Sequence, residues 1–210
     1  MATQDLLFFA MASLMLNLTP GNDMLYVASR SAGQGISAGI VSALGIMAGC
    51  LVHVAAAVAG LSAVLAKSAT AFAIIKYAGA AYLIYLGIIS LISLKQSPFG
   101  YSAKKSNLSY RKIFIQGAIT NVLNPKVALF FLAFLPQFVD LASPSPEWRI
   151  LFLGIWFDIS GTLVNIAVAF LFGKLAIWMS KSPRFIQIQG RITASMLIGL
   201  GIKVAMASKK

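Results

Sequence analysis

The stretch Leu16–Asp23, with the sequence LNLTPGND, interrupts a run of apolar residues that is long enough to span a membrane. It contains a proline, a glycine, an asparagine and an aspartate, and charged residues in particular are rare inside membrane helices. Proline suits the first turn of a helix, where its missing N–H is not needed, and Thr19 before it is a good N-cap residue. We therefore predict that one helix ends and a second helix begins near Pro20, inside the membrane.

The composition is that of an integral membrane protein. Of the 210 residues, 59% are hydrophobic and 10% are charged, whereas about 25% of a soluble domain is charged. No charged residue lies between Ile36 and Ala66, and about 20 apolar residues are enough to cross a bilayer. The apolar runs are continuous rather than alternating, which excludes a β-barrel. We expect an all-α membrane protein with one polytopic domain over residues 1–210.

Six apolar runs predict six transmembrane helices. They cover about Asp5–Ser29, Ser37–Leu65, Ala69–Leu94, Ile113–Val139, Trp148–Met179 and Ile192–Ala207. The basic segment Lys95–Lys112 separates repeat one, about residues 1–94, from repeat two, about residues 113–210. Because each half has an odd number of spans, we expect the two three-helix repeats to be inverted in the membrane.

The net charge of +12 comes from basic residues in the predicted loops. This distribution fits contact with anionic lipid headgroups and gives no reason to expect a nucleic-acid partner. The positive-inside rule places Lys95–Lys112 in the cytoplasm, and the acidic loop with Asp140 and Glu147 outside. Both termini are then outside, although Lys203 and the two C-terminal lysines oppose this orientation.

A second interruption follows half a chain length after the first. The segment TNVLNPKVALFF, residues 120–131, places Asn124 before Pro125, as Thr19 stands before Pro20. Interrupted helices at matching positions of two halves indicate a transporter binding site, and exposed helix N-termini attract carboxylates. The alternative is that both prolines only kink their helices.

The candidate substrate-binding residues are those at the two breaks. They are Thr19, Pro20, Gly21, Asn22, Asp23, Asn121, Asn124, Pro125 and Lys126. Asp23 suits an ammonium group of the substrate, and Lys126 suits its carboxylate. The alternative is that Asp23 and Lys126 form a buried structural ion pair. The candidates for proton coupling are Asp23, Asp158 and His53, and simple hydrogen-bonded packing is the alternative for the last two.

Two helical stripes carry small and polar residues. One comprises Gly45, Gly49, His53, Ala56 and Gly60, and the other Gly154, Asp158, Gly161 and Asn165. Small residues let membrane helices approach closely, and such stripes also leave a homodimer open. The single cysteine and single histidine give no metal cluster and no catalytic constellation, so we expect no metal, no cofactor and no enzyme activity.

Four segments resemble the LysE/RhtB family of amino-acid exporters. They are TPGNDMLYV (19–27), GISAGIVSALGIMAGCLVHVAAAVAGL (35–61), KYAGAAYLIYLGI (76–88) and NVLNPKVALFFLAFLPQF (121–138). The resemblance implies a secondary transporter of the bacterial inner membrane, with six spans and coupling to the proton gradient. It implies export of amino acids or close derivatives, of the threonine/homoserine, homoserine lactone, leucine or basic amino-acid class.

The sequence departs from the family at one motif position. The first motif in this family usually reads Thr-Pro-Gly-Pro followed by Asp or Asn, and here Asn22 replaces the second proline. This departure puts the identity of the substrate in doubt. The alternative function is export of a divalent cation or another small solute, which would require more membrane carboxylates or histidines than this chain has.

Overall fold

The computed structural model describes residues 3–67, 108–140 and 143–179, together with separate positions between 74 and 88 and between 191 and 206. The continuous ranges contain six helices and no strand: α1 Thr3–Leu18, α2 Asn22–Gln34, α3 Ile36–Lys67, α4 Tyr110–Val122, α5 Pro125–Leu129 and α6 Pro146–Met179. A π-helical turn at Phe130–Phe134 and a 3-10 turn at Leu135–Phe138 extend α5. The all-α prediction is confirmed for this part of the chain.

Two of these helices are long and apolar enough to cross a membrane unbroken, over Ile36–Gly60 and Pro146–Lys174. The pair formed by α4 and the extended α5 meets the same criterion as one span bent by 43°. Helices α3 and α6 therefore confirm the second and fifth predicted runs as helices. The third and sixth predicted runs lie mostly outside the described residues, and their separate described positions are helical.

Both predicted interruptions are present. Helix α1 ends at Leu18 and α2 begins at Asn22, while α4 ends at Val122 and α5 begins at Pro125. Asn124 is the N-cap of α5, and its Oδ1 accepts a hydrogen bond from the Lys126 backbone N–H at 3.0 Å. This cap is as predicted.

The N-cap predicted at Thr19 is wrong. The N-cap of α2 is Gly21, whose extended backbone offers no side chain for capping. The Thr19 hydroxyl instead donates to the carbonyl of Met15 at 2.9 Å, four residues back, and so belongs to the end of α1. Threonine commonly makes this bond inside helices, and here the hydroxyl makes it instead of capping α2.

The two broken helices run in opposite directions. The end of α2 lies beside the beginning of α4, where the Gln34 side chain donates to the Leu108 carbonyl at 3.0 Å. The α1 side chain of Phe9 stacks on Phe134, near the end of the second broken helix, with ring centroids 6.1 Å apart. Each broken helix thus starts at the end of the bundle where the other finishes.

Helix α3 packs closely on α4 through glycines. A Cβ atom at Gly45 would collide with the carbonyl oxygen of Phe114, and one at Gly49 with that of Ala118. The small-residue stripe predicted on this helix therefore allows close backbone approach at these two positions. Gly60, on the same stripe, has no neighbour among the described residues within 4 Å of such an atom.

Helix α4 begins a few residues before the apolar run that was predicted to start at about Ile113. Loop residues were expected up to Lys112, but α4 begins at Tyr110 after the N-cap Ser109. Apolar runs mark the hydrocarbon core, whereas long polar side chains let a helix continue into the headgroup region. Residues 95–107 of this loop lie outside the described residues.

A cluster of phenylalanine rings fills the bundle at the end remote from the α2–α4 junction. Phe130 in the π-helical turn stacks on Phe157 of α6 with centroids 4.3 Å apart, and Phe9 of α1 lies 5.8 Å from Phe130. Phe9 and Phe130 are almost completely buried. Phe157 of this cluster also borders the space in which the two helix breaks meet.

Candidate functional site

The two helix breaks meet at the carboxylate of Asp23. This side chain stands in the first turn of α2 and is 8% exposed. Its Oδ2 accepts hydrogen bonds from the side-chain amides of Asn121 at 2.8 Å and Asn124 at 2.9 Å. Because an ionised carboxylate can only accept, both asparagines must present their NH₂ groups to it. Residues from the second break thus hold the single carboxylate of the first.

Lys126 holds the other side of the first break. Its Nζ donates to the carbonyl oxygens of Leu16 at 3.2 Å and Thr19 at 3.1 Å, at the end of α1. The expected partner was Asp23 or a bound carboxylate, but the ammonium instead donates to two carbonyls at the end of α1, where the helix dipole is negative. A Cβ atom at Gly21 would lie 3.2 Å from Nζ, so this glycine leaves room for the lysine.

A small cavity lies between the breaks and helices α3 and α6. Its volume is about 30 Å³, which holds about two water molecules. It is therefore contracted in this conformation and has no room for an amino acid. Its lining consists of Asn17, Thr19, Asp23, Met24, Ile46, Cys50, Asn121, Lys126, Val127, Phe157, Asp158, Gly161, Thr162 and Asn165.

The structure brings most of the predicted site residues together, but not all of them. Those that line the cavity are Thr19, Asp23, Asn121, Lys126 and Asp158. Asn124 and Gly21 contact this group through Asp23 and Lys126. Besides His53, which is described below, three further residues lie outside the lining: Pro20 is half-buried, while Asn22 and Pro125 are exposed. The prolines shape the breaks and do not face the cavity.

His53 lies behind the cavity wall. Its Nε2 is 3.0 Å from the backbone carbonyl of Asn121, and its ring stacks on Phe131 with centroids 6.0 Å apart. Since a carbonyl can only accept, Nε2 carries a proton. The histidine thereby supports the last turn of α4, which presents Asn121 to Asp23. A role for His53 in proton coupling stays a prediction.

Helix α6 supplies the polar wall opposite the breaks. Asp158, Gly161 and Asn165 of the predicted stripe line the cavity, while the fourth member, Gly154, packs against Val54 and Phe131 outside it. Asp158 is 4% exposed. The Cys50 thiol of α3 is a neighbour of the Asp158 carboxylate.

Sequence reasoning missed three polar residues of the lining: Asn17, Cys50 and Thr162. The Asn17 amide donates to the Phe157 carbonyl at 3.1 Å and to the Ser160 hydroxyl at 3.0 Å, which fixes α1 to α6. The sequence feature that could have identified Asn17 is a single amide inside an apolar run, three residues before Pro20. Thr162 lies one turn after Asp158 on the same helix face, so the predicted stripe could have been extended to include Thr162.

Four buried oxygen atoms of the lining have no hydrogen-bond partner within the described residues. They are Asp23 Oδ1, Asn121 Oδ1, Asp158 Oδ2 and Thr162 Oγ1. Buried polar atoms are nearly always paired, so unpaired acceptors in a cavity favour a ligand that brings donors. The described part of the chain has no cluster of three or more His, Cys, Asp or Glu side chains that suits a metal ion.

Residues 14–208 match the family model described as LysE type translocator. The chain is 32% identical over 210 residues to the uncharacterized membrane protein YrhP of Bacillus subtilis (strain 168), covering 97% of this chain and 99% of the relative. It is 29% identical over 207 residues to the homoserine/homoserine lactone efflux protein of Salmonella typhimurium, covering 95% of each chain. It is 31% identical over 136 residues to the leucine efflux protein of the same organism, covering 65% of this chain and 64% of the relative. No solved structure matches the chain.

Proposed function

We propose, from the premise that this chain belongs to the family of LysE type translocators, that it exports amino acids or close derivatives across the bacterial inner membrane in exchange for protons. It is a multi-pass membrane protein, and relatives carry the names of leucine and homoserine efflux proteins. The observation that carries the proposal is the meeting of two helix breaks at one buried carboxylate beside a cavity.

Asp23 is the proposed partner of the substrate ammonium. Its Oδ2 accepts from two amides, but its Oδ1 is buried and has no partner in the part of the chain that the structure describes. An uncompensated carboxylate is unfavourable inside a membrane, and a substrate ammonium supplies both the charge and the missing donor. The two asparagines keep the carboxylate in place when the substrate leaves.

The first break is the proposed partner of the substrate carboxylate. Lys126 uses two of its hydrogen bonds on α1, and an ammonium has three donors, so one is available. Helix α2 begins without a side-chain cap, which leaves its first N–H groups free and its positive dipole end open. The second break contributes less, because Asn124 already caps α5.

Proton exchange is proposed to occur at the cavity carboxylates. Asp23 and Asp158 are both buried and both line the cavity. Substrate ammonium and proton compete for Asp23 in the simplest scheme, since either one neutralises it. Release of the substrate then requires uptake of a proton, which couples export to the proton gradient.

The proposed architecture has six spans in two inverted repeats. The order of a broken helix followed by a long apolar helix occurs in α1–α3 and again in α4–α6. The opposite directions of the two broken helices support an inverted relation. With the basic loop in the cytoplasm, the α2–α4 junction faces inward and the phenylalanine cluster faces outward.

Transport by inside-out membrane vesicles tests the function. Vesicles that contain the protein should take up radiolabelled homoserine or leucine when their lumen is acidified, and an uncoupler should abolish the uptake. Vesicles with Asp23→Asn serve as the matched control. If none of a panel of amino acids is transported by protein that is folded and inserted, the proposal is wrong.

A further inference from the structure

We infer that Asp158 and Thr162 on α6 form a specificity subsite that binds a hydrogen-bond donor on a short substrate side chain. The subsite is the part of the cavity wall that lies on a different helix from the Asp23 network. The inference rests on the proposed function, because it names the substrate class: amino acids whose side chain ends in a hydroxyl or an ammonium group.

The inference rests on side-chain oxygens of this wall that have no hydrogen-bond partner in the described residues. Asp158 is 4% exposed and Thr162 is 9% exposed, and each has a buried oxygen without a hydrogen-bond partner in the described residues. A threonine hydroxyl inside a helix normally bonds to the carbonyl four residues before it, as Thr19 and Thr120 do in this chain. Thr162 makes no such bond.

Two of the polar side chains near this wall make hydrogen bonds elsewhere. Asn17 donates to the Phe157 carbonyl and to Ser160, and Lys126 donates to the end of α1. Neither of these side chains bonds to Asp158 Oδ2 or Thr162 Oγ1. Among the described residues no group bonds to these two oxygens, so a substrate in the cavity can supply the donor.

The unpaired oxygens fall into two pairs, which implies two donor groups on the substrate. One pair is Asp23 Oδ1 with Asn121 Oδ1, whose side chains are bonded to each other at the breaks. The other pair is Asp158 Oδ2 with Thr162 Oγ1, one helical turn apart on α6. The α-ammonium of an amino acid satisfies the first pair. A purely apolar side chain leaves the second pair unpaired.

The size of the cavity favours a short side chain. In this conformation the space holds about 30 Å³ and is bordered by the bulky side chains of Met24, Ile46 and Phe157. A long side chain requires all of these to move, whereas a side chain of two or three atoms reaches α6 with less expansion. Short donor-bearing side chains therefore fit the wall best.

An isosteric series tests the subsite in inside-out vesicles of the full-length protein. Homoserine, 2,4-diaminobutyrate and norvaline have side chains of equal length that end in a hydroxyl, an ammonium and a methyl group. We expect the first or the second to be transported with a kcat/KM roughly ten- to hundredfold above that of norvaline, because the methyl group leaves two buried acceptors unpaired. The ranking of the hydroxyl and the ammonium compound identifies which donor the wall prefers.

Substitution of Thr162 supplies the second arm. Thr162→Val removes an unpartnered hydroxyl and so is not expected to impair folding. It should lower the preference for homoserine over norvaline by about tenfold, while Thr162→Ser should keep it. Asp158→Asn should also change the ratio between substrates; an equal loss for all three substrates would assign Asp158 to coupling alone and overturn its part in the subsite.

The outcomes separate this inference from the proposed function. Norvaline transported as well as homoserine, with Thr162→Val leaving the ratio unchanged, overturns the subsite and leaves amino-acid export intact. Failure to transport any of the three compounds, or leucine, by folded protein overturns the export function and the subsite with it.

Discussion

At the scale of single residues, Asp23 and Lys126 have separate roles in the site. The carboxylate is held by amides of the second break, and the ammonium is held by carbonyls of the first. Each charge therefore has its own set of partners, and neither needs the other for its hydrogen bonds. This arrangement leaves one carboxylate oxygen and one ammonium donor for the charged groups of a zwitterion.

Asp23→Asn tests the carboxylate. The amide keeps the shape of the side chain but removes the charge, and a hydrogen bond to a charged group contributes about 1.5–3 kcal/mol. We expect export to fall by at least about tenfold, while the protein inserts into the membrane as before. Transport into vesicles measures export, and size-exclusion chromatography in detergent checks that the variant is folded and inserted. A variant that exports normally would show that Asp23 is not part of the substrate site.

The double variant Asp23→Asn with Lys126→Met distinguishes a substrate site from a structural ion pair. If the two charges existed only to neutralise each other, removing both should restore folding and export. Because their hydrogen bonds go to different partners, we expect the double variant to remain inactive. Near-normal export of every substrate by this variant would show that the charges serve structure alone.

Lys126→Met tests the attachment of the second break to the first. Loss of the ammonium removes two charged hydrogen bonds to the end of α1, at the carbonyls of Leu16 and Thr19, so we expect the free energy of unfolding to fall by about 1.5–3 kcal/mol. Lys126→Arg is the control, since a guanidinium keeps donors at this position. Thermal unfolding in detergent gives the comparison, and equal stability of the Met variant and the parent would contradict this role.

These residue contacts were only partly predictable from the sequence. A carboxylate and a lysine beside helix breaks are conspicuous in an apolar chain, so the candidate residues were found. Their partners were not, because Asn121 lies 98 positions from Asp23 and Asn17 lies 140 positions from the carbonyl it binds. Local patterns do not show which distant groups meet. They also do not show whether the Thr19 hydroxyl caps α2 or bonds to a carbonyl of α1.

At the scale of helices, the glycines of α3 determine how closely the two halves pack. Gly45 and Gly49 lie against the backbone of α4, whose Asn121 holds Asp23. A wider α3–α4 separation therefore moves the second break away from the first. Helix packing and site geometry depend on the same contact.

Gly45→Ala tests this contact, with Gly60→Ala as the matched control on the same helix. The added methyl at position 45 meets the Phe114 carbonyl, a backbone atom that cannot rotate away, so we expect destabilisation by about 1–3 kcal/mol. The added methyl at position 60 meets no atom of the described residues within 4 Å, and alanine is the better helix former, so the free energy of unfolding should stay level or rise. Equal unfolding temperatures for both variants would show that α3 and α4 do not pack as described.

Helix positions were easier to predict than helix details. The bounds predicted for α3 and α6 agree closely with the observed ones, because long apolar runs mark membrane spans directly. The π-helical turn at Phe130–Phe134 had no such signal. Its wider turn accompanies the packing of Phe130 against Phe157 and Phe9, which are remote in sequence.

At the scale of the whole molecule, different kinds of contact join the helices on the two sides of the cavity. Towards the α2–α4 junction, polar contacts join the helices: Tyr26 donates to the Ile113 carbonyl at 2.8 Å and Arg30 to Gln116 at 3.0 Å. Towards the other end, the phenylalanine cluster fills the bundle. A transporter that opens to each side in turn has to break these two sets of contacts alternately, and both hydrogen bonds and apolar contacts can be broken reversibly.

Cys50 offers a direct measure of this opening. It is the single cysteine of the chain, it lines the cavity, and it is 2% exposed in the contracted conformation. A maleimide in the membrane preparation can therefore modify the native protein at this position only, and only when the cavity opens. The labelling rate reports the population of open conformations.

Substrate should protect Cys50 from labelling. A bound amino acid occupies the space beside Asp158 and Asp23 and excludes the reagent, so we expect saturating substrate to slow labelling at least about tenfold, as an occupied site leaves only the free fraction reactive. Asp23→Asn should be labelled at the parent rate but without protection, because it keeps the cavity and loses the ammonium partner. Labelling of an actively exporting parent at the same rate with and without substrate would place the transport path elsewhere in the bundle.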